Sequence, residues 1–203
     1  MRVLTRFIMG ATDTRHFPAP NLPEIAFLGR SNVGKSSVIN SLLGHKVAKT
    51  SSTPGRTRAI NFFEIRWPGK PNPEMIFADL PGYGYAKISK SISEQWPDFV
   101  EPYLKERESL ALCLGLVDVN IPAQQSDQQL LEFLRSEGRP VIIVATKCDR
   151  LSGNQLRKAL DALSERNPGT GLVRFSARTG EGRSELWQQI RKAAAIPDPE
   201  PIS

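Results

Sequence analysis

The chain is predicted to fold as an α/β protein: a six-stranded, mostly parallel sheet with helices on both faces. Three observations lead there. Short apolar runs rich in strand-forming residues alternate with stretches of helical spacing, the pattern of a parallel sheet covered by crossover helices. At 203 residues the chain is long enough to bury one core without disulfides or metals to hold it. One link alone, Pro68-Gly69-Lys70-Pro71-Asn72-Pro73, is too short and turn-rich for a crossover helix, so the strands flanking it should pair antiparallel.

The strands are expected at Glu24 to Leu28, Asn61 to Arg66, Glu74 to Ala78, Leu110 to Val119, Pro140 to Thr146 and Leu172 to Phe175. The second of these is the antiparallel one. Helices are expected at Ser36 to Leu43, Ser93 to Glu108, Gln124 to Ser136, Ser152 to Arg166 and Glu181 to Ala194. Ser152 has the chemistry of an N-cap, and Gly138 and Gly169 follow helix ends. Pro97 and Pro102 should shorten or kink the second helix. Residues 1–22 read as an N-terminal extension, disordered to about Arg15, residues 23–195 as the single folded domain, and 196–203, with prolines 197, 199 and 201, as a disordered tail. There is no internal repeat.

Composition narrows the class. Cys113 and Cys148 are too few for a disulfide framework and point to a reducing, cytoplasmic home. The start of the chain is broken by Thr5 and Arg6 before it reaches signal-peptide length, and the longest apolar run, Leu110 to Val117, is far short of a membrane span. Neither a membrane nor a DNA partner is expected, and a monomer is the default. The net charge of +6 is compatible with a nucleic-acid partner without requiring one. His16 and His45 have no metal or nucleophile partner at motif spacing and read as surface residues, Trp96 and Trp187 as helix packing, and Cys148 as a passive loop residue.

The chemistry gathers where strands end. After the first strand comes Gly29-Arg30-Ser31-Asn32-Val33-Gly34-Lys35-Ser36-Ser37, a G-x-x-x-x-G-K-S loop that feeds a helix. Such a turn aims several backbone N–H groups, and the positive end of a helix dipole, at one point suited to a polyphosphate. Gly29 and Gly34 would let the backbone approach it, Lys35 would supply a charge to the β and γ groups, and the Ser36 hydroxyl could ligate Mg²⁺. After the third strand, Asp79-Leu80-Pro81-Gly82 places a carboxylate to hold Mg²⁺ through a water and the Gly82 N–H to meet a γ-phosphate. After the fifth, Thr146-Lys147-Cys148-Asp149 offers a carboxylate, an acceptor only. It suits the N1–H and exocyclic amine of guanine and mismatches adenine. Lys147 could lay its stem along the purine face with its ammonium in water. After the sixth, Phe175-Ser176-Ala177-Arg178 can present a backbone N–H to guanine O6.

Phosphate loop, D-x-x-G, T-K-x-D and S-A, in this order and each after a strand, resemble the Ras-like P-loop GTPases over about residues 23–194. The fuller segments, with Thr53-Pro54-Gly55-Arg56-Thr57 and Asp79-Leu80-Pro81-Gly82-Tyr83-Gly84-Tyr85-Ala86, resemble the EngB (YsxC/YihA) family of bacterial GTPases; the Y-G-Y-A is the most discriminating part. The resemblance implies a Ras-like P-loop GTPase fold, a role in assembly of the large ribosomal subunit, and an association with cell division and septation. It also implies that Thr57 ligates Mg²⁺ in the GTP state and that Gly55, Arg56, Arg58 and Ala59 help surround the nucleotide. Arg58 stands where the family more often has glutamine. Lys35, Thr57 and Gly82 are the groups expected to act on the transferred phosphoryl. Another RNA-associated GTPase of the Era or EngA type is an alternative, though these add a KH domain or a second GTPase domain for which the 203 residues leave no room. A P-loop small-molecule kinase or a nucleotide-dead binding module are further ones.

Where Ras-like enzymes often carry a water-orienting glutamine this chain has Tyr83, so intrinsic hydrolysis should be slow. A K⁺ ion, an arginine or the ribosome itself must complete the site. Asn32 resembles an asparagine that holds K⁺ in related GTPases; it could equally stabilise the loop turn by hydrogen bonding. Arg56 could act as a finger in cis or contact RNA phosphate. Residues 45–60 and 83–93 lack helical spacing and should be switches ordered by the γ-phosphate. They carry Lys46, Lys49, Arg56, Arg58, Lys87 and Lys90, with Tyr83 and Tyr85 as stacking or wedging groups, and so could dock structured rRNA.

Overall fold

The computed structural model describes residues 3–48, 59–84 and 96–196. Its sheet has seven strands in the order β1-β3-β4-β2-β5-β6-β7, one more than the sequence reading. They are β1 (Leu4–Ala11), β2 (Glu24–Gly29), β3 (Ile60–Arg66), β4 (Met75–Asp79), β5 (Leu110–Asp118), β6 (Val141–Thr146) and β7 (Gly171–Arg174). β2, β4, β5, β6 and β7 run parallel, so their C-terminal ends share one rim. β3 pairs antiparallel with β4, as the short Pro-rich link required.

The additional strand corrects the expectation of disorder up to Arg15. β1 pairs antiparallel with β3 along its whole length, with a register shift between Phe7 and Met9. Thr5 and Arg6 interrupt an apolar run, yet an edge strand tolerates polar residues because one side faces water. Arg6 meets Glu64 at 2.7 Å, and the Phe7 and Phe63 rings lie 5.4 Å apart.

Among the described residues five α-helices cover the sheet: α1 (Lys35–Leu43), α2 (Val100–Glu106), α3 (Gln125–Ser136), α4 (Gly153–Arg166) and α5 (Arg183–Ala193). The alternation of β2 sorts the core into two layers. Ile25 and Phe27 pack with Ile39 and Leu42 of α1 and with Leu186, Trp187 and Ile190 of α5. Ala26 and Leu28 pack on the other face with Tyr103 and Leu104 of α2 and with Leu130 and Leu134 of α3. α4 lies against β6 through Leu156, Leu160 and Leu163, and a capping box between Ser152 and Gln155 starts it.

The second helix is much shorter than expected, beginning only at Val100. Pro102 falls in its first turn, where a missing N–H costs nothing, and buried Trp96 lies outside it rather than in a helical repeat. Residues 93–95 of the predicted helix lie outside the described residues. Arg139 closes the helix by donating to the carbonyls of Leu104, Lys105 and Arg107.

Below the rim, at the first residue of β2, Glu24 is fully buried. It accepts from the Tyr103 hydroxyl at 2.8 Å, the Ser109 hydroxyl at 2.9 Å and Arg107 Nε at 3.0 Å. Arg107 also donates to Pro18 O, which ties the segment after β1 to the sheet. Burial and the Glu24 charge push the Tyr103 hydroxyl pKa well upward, so it stays a donor. At the other end of the chain, Ile196 packs on the core, and 197–203 lie outside the described residues.

Candidate functional site

The parallel rim brings the predicted segments together. Gly29 ends β2, and Arg30 to Gly34 form a loop into α1, whose first turn carries Lys35, Ser36 and Ser37. Gly34 is the N-cap with φ of 105°, a left-handed conformation that favours glycine. Glycine has no side chain to cap a helix, so the first N–H groups of α1 face the loop's concavity, where an anion can take them. Gly29 answers to a different need from the one the sequence suggested: a Cβ there would lie 2.7 Å from Val33 Cγ1, so packing beneath the loop demands glycine. Asn32 is also left-handed, φ 65°, a conformation asparagine tolerates.

Polar side chains lash these loops to one another. The Thr146 hydroxyl, at the end of β6, reaches Val33 O at 2.7 Å, joining the phosphate-type loop to the T-K-C-D segment. Lys147 Nζ donates to Asn32 O at 2.8 Å and to Asp118 Oδ2 at 2.6 Å. This corrects the picture of a lysine with its ammonium in water: the charge is held between β5 and the loop, with 23% of the side chain exposed. Burial works against ionised Asp118, but hydrogen bonds from Lys147 and Asn120 hold its carboxyl below the usual range. Asn120 also donates to Lys147 O at 3.0 Å. Neither Asp118 nor Asn120 was singled out from sequence. The signal available for Asp118 was its place, an acid ending an apolar strand as Asp79 does.

Asp149 projects beyond β6, its two oxygens accepting from Ser176 Oγ at 2.6 Å and from Arg178 Nε at 2.7 Å. Those two donors keep its carboxyl ionised below its ordinary pKa. Phe175 is buried and Ala177 exposed, while Cys148 is buried and its thiol, raised by burial, donates to Ala145 O. A cleft of 740 Å³ runs from the start of α1 to this loop, lined by Gly34, Ser37, Lys147, Asp149, Phe175 and Ala177. That size suits a nucleotide-like ligand.

On the other side of the loop, Lys35 Nζ donates to Asp79 Oδ1, a close ion pair with both side chains largely buried. Leu80 and Pro81 follow, buried, and Gly82 lies against the loop: a Cβ on it would be 3.2 Å from Ser31 N. Tyr83 departs from expectation. Far from being a surface stacking group it is 1% exposed, and its hydroxyl donates to Asp127 Oδ1 at 2.9 Å. Ala59 is described, just ahead of β3, whereas Gly55, Arg56, Thr57, Arg58 and Tyr85 lie outside the described residues, as do Lys49, Lys87 and Lys90. Of the expected first switch, Val47 and Ala48 are held by the Asn40 side chain, which accepts from both N–H groups and donates to Ala48 O, each at 2.9 Å. His45 is half-buried, its Nδ1 3.0 Å from Leu43 O, and His16 pairs with Asp13.

A strand-loop-helix phosphate cradle, an acid at the end of the neighbouring strand and an acceptor-only carboxylate across the cleft define a P-loop GTPase of the Ras-like class. Residues 24–147 match the family described as 50S ribosome-binding GTPase. The chain is 59% identical over 199 residues to the probable GTP-binding protein EngB of Koribacter versatilis, covering 98% of each. It is 62% identical over 196 residues to that of Acidobacterium capsulatum, covering 96% of this chain and 93% of the relative. It therefore belongs to the EngB family of GTP-binding, GTP-hydrolysing proteins. In three dimensions it is similar to a crystal structure of a probable GTP-binding protein EngB, with a TM-score of 0.63 at 25% identity over 85% of this chain and 98% of the other. Era in complex with MgGDPNP and a segment of 16S ribosomal RNA gives a TM-score of 0.69 at 27% identity over 90% of this chain, which spans 59% of the Era chain.

Proposed function

We propose that the chain is a guanine-nucleotide switch that acts in assembly of the large ribosomal subunit in the cytoplasm, as a monomer, and supports normal cell division and septation. The observation that carries the nucleotide part is the convergence on the phosphate-type loop of segments far apart in sequence: the start of α1, Lys147 and Asp149 line one cleft, while the Lys35–Asp79 pair and Gly82 flank the loop on its other side. Residues 29–37 would hold the phosphates, with Lys35 on the β and γ groups, and Gly82 N–H would meet the γ-phosphate. Thr146 and Lys147 keep the base loop against the phosphate loop. Asp149 would accept from guanine N1–H and the exocyclic amine, and the backbone of Phe175, Ser176 and Ala177 would face O6. The chemistry of Ser36, Asp79 and Thr57, two hydroxyls and a carboxylate, fits Mg²⁺, which when bound neutralises charge on the β and γ phosphates. Gly55 to Ala59 would complete the enclosure.

Slow intrinsic hydrolysis follows from Tyr83, whose hydroxyl is engaged with buried Asp127 and cannot orient an attacking water at the γ-phosphate. Stimulation would come from outside the chain. Asn32, exposed on the rim, is placed to share a K⁺ ion; equal turnover in NaCl and KCl rejects that role. The ribosomal assignment draws on the description of the matching family and on the basic residues of the expected switches, Lys46 among them exposed.

Two experiments test the reading. In competition for a fluorescent GDP, GTP should outcompete ATP by at least about a hundredfold, and Asp149→Asn should abolish that margin because an amide puts a donor against guanine's own donors. Equal competition by ATP refutes guanine selection. Separately, protein loaded with a GTP analogue should bind large-subunit precursors more tightly than GDP-loaded protein, with affinity falling steeply as salt rises. Binding indifferent to nucleotide and salt refutes the ribosomal switch.

A further inference from the structure

Tyr83 is fixed from three directions. Its carbonyl accepts from Ser31 N–H at 3.0 Å, and its backbone forms a parallel bridge with Arg30, so the chain just after D-L-P-G is stitched to the phosphate loop. Its ring meets Trp96 edge-to-face, centroids 6.1 Å apart at 81°, and Trp96 in turn meets Phe133 of α3 at 5.9 Å and 71°. Its hydroxyl donates to Asp127 in the first turn of α3. Asp127 is 6% exposed, so neither member of that bond has water as a substitute. The Arg30 guanidinium lies near enough to act electrostatically on both groups.

A buried carboxylate at this place is costly. Packing alone would accept an apolar residue there, as it does at Leu130 and Leu134 on the same helix. What the carboxylate adds is direction: a hydrogen bond pins the tyrosine's far end, and through the tyrosine the peptide before it. That peptide joins Tyr83 to Gly82, whose own N–H lies one peptide further back and which is already pressed on Ser31. From this geometry we propose that Asp127 is a positioning residue for recognition of the terminal phosphoryl group, holding Tyr83 and thereby the Gly82 N–H at the phosphate loop. The inference rests on the nucleotide reading above and deepens it. It distinguishes the triphosphate from the diphosphate, because Gly82 has a partner only in the former. Loosening Tyr83 should therefore weaken GTP and leave GDP alone, whereas damage to the core would weaken both.

The test is a titration of the full chain, with Mg²⁺, by fluorescent GDP and a fluorescent non-hydrolysable GTP analogue. Tyr83→Phe keeps the ring packing and removes only the hydroxyl; Asp127→Ala removes the acceptor; Asp127→Asn retains a side-chain oxygen that can accept from Tyr83. The first two should lose about fivefold to tenfold in the affinity ratio of analogue over GDP, the scale of one buried hydrogen bond, with GDP affinity within about twofold of wild type. Asp127→Asn should keep the wild-type ratio. An unchanged ratio in Tyr83→Phe, or equal loss of both nucleotides, overturns the proposal. If the wild-type chain binds neither nucleotide the site reading itself falls, an outcome visible before any variant is made.

Discussion

Replacing Arg107 by alanine should unfold the protein at lower denaturant without changing what the folded protein binds. Glu24 is fully buried, and only 11% of the Arg107 side chain is exposed. Removing one partner from a buried ion pair costs about 3–5 kcal/mol, because the surviving charge keeps its desolvation penalty. Two features of the site pull the value to the lower end. The Tyr103 and Ser109 hydroxyls continue to donate to Glu24, and the departed side chain leaves a path by which water can reach it. Loss of the bond to Pro18 O and of the Arg107–Phe17 ring contact adds to the cost. About 3 kcal/mol is the net expectation, and with a urea m-value near 3 kcal/mol/M it lowers the unfolding midpoint by roughly 1 M. Introducing Glu24→Gln into the Arg107→Ala background should restore at least about half of the loss, since the amide oxygen can accept from one hydroxyl and its NH2 can donate to the oxygen of the other, with no charge to desolvate. Nucleotide affinity below the transition should stay at the wild-type value, because Glu24 and Gly29 occupy opposite ends of β2, about 16 Å apart at strand rise. The assay is urea unfolding by circular dichroism beside a GDP titration. A midpoint shift under about 0.3 M would show that the network contributes little, and a change in GDP affinity would show that the two ends of the sheet are coupled.

Two further outcomes are expected. Burial, outweighing the Tyr83 hydrogen bond and the Arg30 charge, lifts the Asp127 pKa to about 6 against about 3.9 in an unfolded chain. The folded state therefore holds a proton that the unfolded state has lost between pH 4 and 6. This group's contribution to stability is full below about pH 4 and fades as pH rises through 6, by on the order of 3 kcal/mol. Unfolding curves of wild type minus Asp127→Asn, taken from pH 4.5 to 7.5, should show that fall; a flat difference would place the carboxyl in contact with water. Thr146→Val keeps shape and removes the hydroxyl that reaches Val33 O, so stability should drop by about 1–2 kcal/mol, and GDP and GTP affinities should fall by the same factor in titrations. Selective loss of one nucleotide would refute a role confined to the loop's shape.

The four motifs were legible in the sequence because each works through groups local to its own segment. A glycine at positive φ, the N–H groups of a helix start and an acid at a strand end keep a fixed spacing whatever lies beside them. The ties between motifs were not legible. Asp118, Asn120 and Asp127 are single polar residues whose meaning depends on strand order: only when β5 lies between β2 and β6 does Asp118 come under Lys147. Tyr83 was misread for the same reason. An aromatic among glycines and lysines looks solvent-facing until α3 is placed over it. Glu24 read as the plain start of a strand, since nothing in its neighbourhood announces a tyrosine and an arginine about 80 residues on. β1 was missed because an edge strand, paired on one side only, need not carry the continuous apolar run that marks its central neighbours.

The cross-ties also account for how separate loops could act as one switch. The phosphate loop is held by Thr146 at Val33, by Lys147 at Asn32 and by Tyr83 at Ser31. Three adjacent residues of a five-residue turn thus answer to the base-side loop on one flank and to the D-L-P-G segment on the other. A ligand that moves the turn by a fraction of an ångström must strain both sets of bonds or carry both flanks with it, because close-packed, hydrogen-bonded contacts do not stretch continuously. Asp127 and Asp118 sit at the outer ends of these ties, in α3 and β5, elements in direct contact with each other. The D-L-P-G segment is joined to α3 by the Tyr83 hydroxyl and by the Tyr83–Trp96–Phe133 ring contacts, and the base-side loop to β5 by the Lys147 ammonium and the Thr146 hydroxyl. Severing either tie should leave nucleotide binding to the two halves of the cleft uncorrelated, so Tyr83→Phe and Lys147→Met should be additive in their effects on the GTP analogue only if the turn between them is soft.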